Sequence, residues 1–246
     1  MFTLARHELY RLFLSPLAWL ILALSQLILA YLFLTHIDYF MQIQGKISAI
    51  PGAPGVTELI ALPLFNNAAT ILLLLTPLIT MRLIAEERRN DSFPLLLSAP
   101  LSATQIVLGK YLGTLAFFLI LIGLITCMPL ALSVGATLDL MAIGSAIFGL
   151  FLLVASFTAI GLFLSALTKQ PTIAAISTFS LLFLSWIIDW TGNTGESTLF
   201  SWLSLLSHFQ PILQGDLHTK DIAYYGINVG FFLTLTIRCI NTQRLS

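Results

Sequence analysis

The stretch 140–167, LMAIGSAIFGLFLLVASFTAIGLFLSAL, decides the class of fold. It contains no Asp, Glu, Lys or Arg, and it is longer than the roughly 20 residues that an α-helix needs to cross a hydrocarbon core. Small residues recur along it at a spacing that favours close packing between membrane helices. They are Ser145, Gly149, Ala155, Ala159, Gly161 and Ser165. The stretch therefore predicts a transmembrane helix packed among others.

Five further apolar blocks flank this one, each bounded by charged residues, Pro or Gly. They cover 17–37, 62–83, 111–134, 173–190 and 222–240. The whole chain is 58% hydrophobic and 9% charged, whereas a soluble domain usually has about 25% charged residues. We expect an all-α integral membrane protein, with six transmembrane helices forming a single domain over residues 1–246.

The placement of basic residues predicts the orientation. An even number of spans puts both termini on the same side, and cytoplasmic segments are enriched in Lys and Arg. With the termini inside, only Lys46 and Lys220 lie outside. The nine basic residues inside are Arg6, Arg11, Arg82, Arg88, Arg89, Lys110, Lys169, Arg238 and Arg244. This asymmetry predicts that both termini are cytoplasmic.

Residues 2–14 precede the first span and have an amphipathic pattern. On a helical wheel the apolar side chains Phe2, Ala5, Leu9, Leu12 and Phe13 share one arc. The polar side chains Arg6, His7, Glu8 and Arg11 occupy the rest. The pattern predicts an interfacial helix along the inner leaflet, which serves either as a simple anchor or as a grip for a partner.

The loop 84–110 separates the second and third spans and follows Arg82. Its charged start, Glu86 to Arg89, predicts a helical extension of the second span, and Pro94 and Pro100 interrupt it. Ser102 is a candidate cap for a helix over 103–110. A solvated run of charges is the alternative interpretation. The Leu residues that follow the charges indicate instead that the loop contacts a partner.

The segment 199–214, LFSWLSLLSHFQPILQ, is apolar but too short to cross a membrane. It predicts an interfacial or re-entrant helical hairpin broken near Pro211, with a partly buried surface helix as the alternative. Within the spans we find no ionisable residue clearly at mid-membrane, which weighs against an ion-coupled transporter. No His, Cys and carboxylate cluster has metal-ligand spacing, so neither a catalytic nor a metal site is predicted.

Three strings then resemble a known family. They are Leu83-Ile84-Ala85-Glu86-Glu87-Arg88-Arg89, Leu95-Leu96-Leu97-Ser98-Ala99-Pro100-Leu101-Ser102 and Ile106-Val107-Leu108-Gly109-Lys110-Tyr111-Leu112-Gly113. Together they resemble the first cytoplasmic loop of ABC transporter type 2 permeases. The chain is most similar to the small six-span bacterial permeases that serve gliding motility and nitrous oxide reductase maturation.

The resemblance implies a half-transporter that pairs with a second permease copy or a paralogue and docks a separate ABC ATPase. It implies an elbow helix over 2–14, with Arg6, Glu8 and Arg11, beside a coupling helix in the loop 84–110. The residues expected to contact the ATPase are Glu86, Glu87, Arg88, Arg89, Leu97, Pro100, Leu101 and Gln105. The chain has no G-x-x-x-x-G-K-[ST] phosphate loop. ATP and Mg²⁺ are therefore expected on the partner, with no cofactor in this chain.

From these points we expect a permease of the bacterial inner membrane, acting in export, with membrane lipid and no nucleic acid among its partners. An envelope protein is a further candidate partner. One alternative is an ATP-powered mechanotransmission subunit that moves an envelope partner without passing substrate. Another is an intramembrane enzyme around His208 and Asp189. The segment 199–214 supplies the candidate outer gate, which comprises Phe200, Leu206, Phe209 and Pro211.

Overall fold

The computed structural model describes residues 1–47, 55–90, 102–192 and 204–245. The described residues are predominantly helical, and they include no strands. The helices are α1 Phe2–Leu14, α2 Pro16–Ile47, α3 Leu62–Thr80, α4 Ala85–Arg89, α5 Ala103–Ala131, α6 Leu140–Leu167, α7 Pro171–Gly192, α8 Phe209–Leu213 and α9 Thr219–Leu245. A π-helical turn, Thr57–Ala61, leads into α3, and a 3-10 turn, Leu132–Val134, follows α5.

Six helical segments in the described part of the chain are long and apolar enough to cross a membrane. They are Pro16–Lys46, Thr57–Arg89, Ala103–Ala131, Leu140–Leu167, Pro171–Asp189 and Thr219–Thr242. The predicted fold class, an all-α membrane protein with six spans, is confirmed. Below, the inner end of the bundle is the end with α1 and α4, and the outer end is the end with α8, following the predicted orientation.

Two helices differ most in extent from the sequence-based boundaries. Helix α2 continues to Ile47 instead of ending at residue 37, because no Pro or Gly interrupts the chain before Gly45. Helix α5 begins at Ala103 instead of residue 111. A capping box at Ser102 starts α5: the Ser102 hydroxyl accepts from the backbone N–H of Gln105, and the Gln105 side chain accepts from the N–H of Ser102. Residues 103–110 are therefore the first turns of the third span.

Helix α6 forms the centre of the bundle. Its apolar window is 67% buried, whereas the windows of α7 and α9 are each 17% buried and face the surroundings. The small residues that were predicted to favour packing allow neighbouring helices to approach this helix closely. A Cβ at Gly149 would lie 2.7 Å from Cγ2 of Ile212, and one at Gly161 would clash with the side chain of Thr80. Glycine at these positions brings α8 and the end of α3 against the central helix.

Candidate functional site

The inner end of the bundle is built on a close crossing of α1 and α5. A Cβ added to Gly113 would lie 2.8 Å from the carbonyl oxygen of Ala5 and 2.8 Å from Cβ of Glu8. One added to Gly109 would lie 2.6 Å from a methyl carbon of Leu4. These two glycines, four residues apart, lie on the same face of α5, so the backbones of the two helices approach closely there.

Five charged side chains meet at this crossing. We call them the inner ion cluster: Glu8 and Arg11 of α1, Glu86 and Glu87 of α4, and Lys110 of α5. Lys110 Nζ lies 2.6 Å from Glu87 Oε1 and 3.3 Å from Glu8 Oε2. Arg11 Nη1 donates to the same Glu87 oxygen at 3.2 Å. Its Nη2 lies 3.9 Å from Glu86 Oε2. The cluster joins three helices that are distant in the sequence.

Burial makes the centre of the cluster costly to disturb. Lys110 is 1% exposed and Glu8 is 5% exposed. A charge taken out of water is tolerated only when a partner of opposite charge and good geometry compensates the lost hydration, and removing one partner is strongly destabilising. The two carboxylates that face Lys110 provide this compensation. They therefore hold α1 and α4 in place against α5.

A second polar contact holds the junction between α3 and α4, where the chain turns. The hydroxyl of Ser165, near the end of α6, accepts hydrogen bonds from the backbone N–H groups of Ile84 and Ala85, each at 3.1 Å. It donates to the carbonyl oxygen of Met81, also at 3.1 Å. These backbone groups lie at helix ends, where intrahelical partners are missing. Ser165 thus ties the start of α4 to the central helix.

The residues predicted to contact the ATPase differ in their exposure and in their surroundings. Glu87 points into the inner ion cluster, whereas Arg89 is exposed at the end of α4. Gln105 is exposed and forms part of the cap of α5. Leu97, Pro100 and Leu101 lie outside the described residues. Contact of any of these side chains with an ATPase stays a prediction.

For the predicted elbow residues, one correction is needed. The helical wheel put Glu8 on the polar face with Arg6, but Glu8 is buried against α5, while Arg6 is exposed and Phe2 is 82% exposed. The reason is the pairing of Glu8 with Lys110, which compensates a buried carboxylate that the wheel treats as solvated.

The role of Lys110 was missed in the sequence, where it counted only as a cytoplasmic cation. The sequence nevertheless contains a signal that Lys110 is buried. The neighbours of Lys110 at helical spacing, Ile106, Val107, Gly113 and Thr114, are apolar or small and mark a packed face of α5. All four are buried in the structure.

The outer end carries a separate polar network around α8. His208 Nδ1 lies 2.6 Å from Asp221 Oδ1, and its ring stacks on Tyr224 with 4.1 Å between ring centroids. The Tyr225 hydroxyl donates to the carbonyl oxygen of Leu205 at 2.6 Å. Asp189 instead accepts from Ser204 at 3.1 Å. His208 and Asp189, paired in the enzyme hypothesis, thus bond to different partners.

The predicted outer gate residues lie partly in this region. Leu206 and Phe209 are buried and Pro211 is half-buried, while Phe200 lies outside the described residues. The expected break near Pro211 is wrong. Pro211 lies inside α8, and the chain turns instead at Gly215, whose φ of 97° favours glycine. A gating role for these residues is untested.

Beside α8, the outer end opens into a cavity of about 850 Å³ that is lined by both polar and apolar residues. Glu58, Asp139 and Gln214 line it, together with the pair formed by the Gln210 amide nitrogen and Asn66 Oδ1 at 2.9 Å. The cavity therefore offers polar groups on the outer side of a predominantly apolar bundle.

A comparison with protein families decides which class of membrane protein this architecture represents. Residues 2–236 match the family described as ABC-2 family transporter protein. The chain belongs to the ABC-2 transporter family. It is thus a permease component of an ABC transporter, and the family implies an ABC ATPase as partner. No curated protein matches the chain. For this ABC-2 permease, three residues of the inner ion cluster, Glu86, Glu87 and Lys110, lie on the segment 84–110 that the family resemblance assigns to coupling.

Proposed function

We propose that the chain is the permease subunit of an ATP-driven exporter in the bacterial inner membrane. Two permease copies, or this chain and a paralogue, pair and dock two separate ATPase subunits. ATP and Mg²⁺ bind to those subunits, and both termini of the permease face the cytoplasm. The distribution of basic residues, nine inside and two outside, supports this orientation.

One observation carries the coupling part of the proposal: the buried Lys110 bonds to Glu8 of α1 and to Glu87 of α4. A segment that converts ATP binding into movement of the spans has to be mechanically continuous with them. The inner ion cluster supplies this continuity, because displacement of α4 separates buried opposite charges unless α1 and α5 follow. The exposed end of α4, at Arg89 and Asn90, remains accessible to a partner.

The experiment is affinity purification of the tagged chain from its native membrane in mild detergent, followed by mass spectrometry and a Mg-ATP hydrolysis assay. Arg89→Glu reverses the charge of the exposed end of α4. Lys46→Glu is the matched control, since it reverses an exposed charge at the opposite end of the bundle. We expect an ABC ATPase to co-purify with wild type and Lys46→Glu, and its yield to fall at least tenfold with Arg89→Glu.

Three outcomes separate the hypotheses. Loss of the ATPase in Arg89→Glu alone supports docking at α4. Co-purification of an envelope protein together with the ATPase favours mechanotransmission on that partner. Absence of any ATPase from the wild-type sample contradicts the proposal and returns attention to the enzyme hypothesis around His208 and Asp189.

A further inference from the structure

A cavity opens at the inner edge of the bundle, between the α3–α4 junction and the start of α7. Its volume is about 480 Å³, within the range of roughly 300–1,000 Å³ typical of small-molecule sites. We call it the inner-edge cavity. Its wall includes the apolar side chains Leu78 and Ile176 and the polar or charged side chains Arg82, Glu86, Arg89 and Thr172.

Two arginines of this wall have no partner of opposite charge. The guanidinium groups of Arg82 and Arg89 form no ion pair and no hydrogen bond in the described part of the chain. Arg89 is exposed and Arg82 is partly exposed, so a ligand in the cavity can reach them. Glu86 also lines the cavity, and its carboxylate lies 3.9 Å from Arg11, which does not. The lining side chains therefore carry one positive charge in excess, which attracts anions.

The start of α7 adds to this preference for anions. Pro171 begins this helix of 22 residues, and both Pro171 and Thr172 line the cavity. The first backbone N–H groups of a helix lack intrahelical acceptors and carry a partial positive charge. A second recess, of about 380 Å³, shares Arg89, Pro171 and Thr172 with the inner-edge cavity. Positive groups therefore face this region from both α4 and α7.

The rest of the wall is apolar and faces the membrane. Leu78 is 38% exposed and Ile176 is 62% exposed, and they belong to the second and fifth spans. Arg82 follows Leu78 by four residues and Thr172 precedes Ile176 by four. The charged and polar groups therefore lie about one helical turn closer to the inner surface than the apolar ones. A ligand with an anionic head and an apolar tail matches this arrangement, whereas a soluble anion matches only its charged part.

We propose that the inner-edge cavity binds the phosphate group of an anionic phospholipid from the inner leaflet. The phosphate bonds to Arg82 and Arg89, because a planar guanidinium group donates paired hydrogen bonds to phosphate oxygens. The acyl chains lie along Leu78 and Ile176. Basic pockets between transmembrane helices near the cytoplasmic surface bind anionic headgroups in this way. The site goes beyond the proposed function, and it rests on neither ATPase docking nor the direction of transport.

Photolabelling in lipid nanodiscs tests the site, with the full-length permease in the complex as purified. Two diazirine-bearing probes with identical acyl chains are compared at equal mole fraction: phosphatidylglycerol, which has a net negative charge, and phosphatidylcholine, which has none. We expect phosphatidylglycerol to label the segments around Leu78 and Ile176 at least fivefold more than phosphatidylcholine. Inorganic phosphate, added at constant ionic strength, should leave this labelling unchanged, because it has no acyl chains to place along the apolar wall.

Two double variants with the same change of charge test the arginines. Arg82→Gln with Arg89→Gln should reduce the preference to parity, and it breaks no ion pair among the described residues. Arg6→Gln with Arg238→Gln removes two exposed arginines of the inner end that do not line the cavity, and it should retain the preference. Arg82→Gln alone leaves the exposed end of α4 unchanged. It should weaken the preference while the ATPase still co-purifies, which separates lipid binding from docking.

A second pair of variants tests the apolar wall. Ile176→Trp narrows the cavity from an exposed position and should lower labelling by phosphatidylglycerol. Ile173→Trp changes a 49% exposed side chain of the same helix that does not line the cavity, and it should not.

Four results would overturn the proposal. Equal labelling by the two probes in wild type would indicate bulk lipid, and a preference that persists without Arg82 and Arg89 would remove the proposed contacts. Loss of labelling with inorganic phosphate would indicate a site for a soluble anion. Disulfide formation between two copies carrying Ile176→Cys, with Cys127 and Cys239 replaced by Ser, would show that a second copy covers the cavity.

Discussion

At the scale of single residues, Lys110 is the side chain on which the inner end depends. Its ammonium group bonds to the carboxylates of Glu8 and Glu87, and Arg11 bonds to the same oxygen of Glu87. The three acidic and two basic side chains of the inner ion cluster leave one negative charge in excess. The two carboxylates therefore compensate the burial of Lys110, and the positive charge of Lys110 offsets the repulsion between them.

Replacing Lys110 by Met should destabilise the protein by about 3 kcal/mol, because it leaves the buried carboxylate of Glu8 unpaired. The measurement is thermal or denaturant unfolding in detergent. Lys169→Met, at an exposed inner position, is the control and should change the unfolding free energy by less than about 0.5 kcal/mol. A double variant with Glu8→Leu should be more stable than Lys110→Met alone. If the double variant is less stable, Glu8 is not the group left uncompensated.

Replacing Ser165 by Ala should cost about 1–3 kcal/mol, since it removes the acceptor for two buried backbone N–H groups. Ser156→Ala on the same helix is a matched control. The Ser156 hydroxyl is buried but has no hydrogen-bond partner among the described residues, so its removal should be neutral or slightly stabilising. Equal effects of the two substitutions on unfolding would show that the contacts of Ser165 do not hold the α3–α4 junction.

At the scale of elements, the contact of α1 with α5 is set by small residues. The backbone of Ala5 approaches Gly113 so closely that any side chain at position 113 has to displace α1 or α5. Because Glu8 lies at the same crossing, this approach also determines whether it reaches Lys110. The packing of two helices and the formation of the inner ion cluster are therefore coupled.

Gly113→Leu should separate α1 from α5, at an overpacking cost of about 1–3 kcal/mol. Amide hydrogen exchange of residues 2–14 is expected to accelerate, and the Lys110→Met substitution should cost less in this background because the cluster is already broken. Gly123→Leu on the same helix is the control, since nothing lies within 4 Å of a Cβ there. Unchanged exchange in Gly113→Leu would contradict the close crossing.

At the scale of the whole molecule, burial is uneven among the spans. The second and fourth spans are each 67% buried, whereas the first is 28% buried and the fifth and sixth are 17% buried. The first, fifth and sixth spans therefore present most of their apolar surface to lipid or to another membrane protein. This distribution leaves a wide surface for the second permease copy of the proposed assembly.

The proposed orientation predicts labelling from only one side. After Cys127 and Cys239 are replaced by Ser, the single-cysteine variant Asp216→Cys should react with a membrane-impermeant maleimide in spheroplasts. A Cys at Lys169 should react only after the membrane is permeabilised. Both positions are exposed, so accessibility across the membrane is the variable that differs. The opposite pattern would place both termini outside and invert the proposed topology.

What the sequence determined by itself is the membrane class, the number of spans and the family. These follow from properties that are local along the chain: long uncharged apolar runs and the motif strings around Glu86 and Gly109. The cap of α5 at Ser102 was also readable, because a capping box depends on residues only three positions apart.

Only the tertiary structure decided that Glu8, Glu87 and Lys110 form one buried cluster, and that Ser165 holds the start of α4. These contacts join residues up to 102 positions apart in the sequence, and no local pattern encodes which distant charge will neutralise a buried one. The burial of Glu8 illustrates the physical reason. A helical wheel considers one helix alone and therefore places a carboxylate on the side that faces water. The interaction that stabilises Glu8 in its buried position comes from a lysine on another helix.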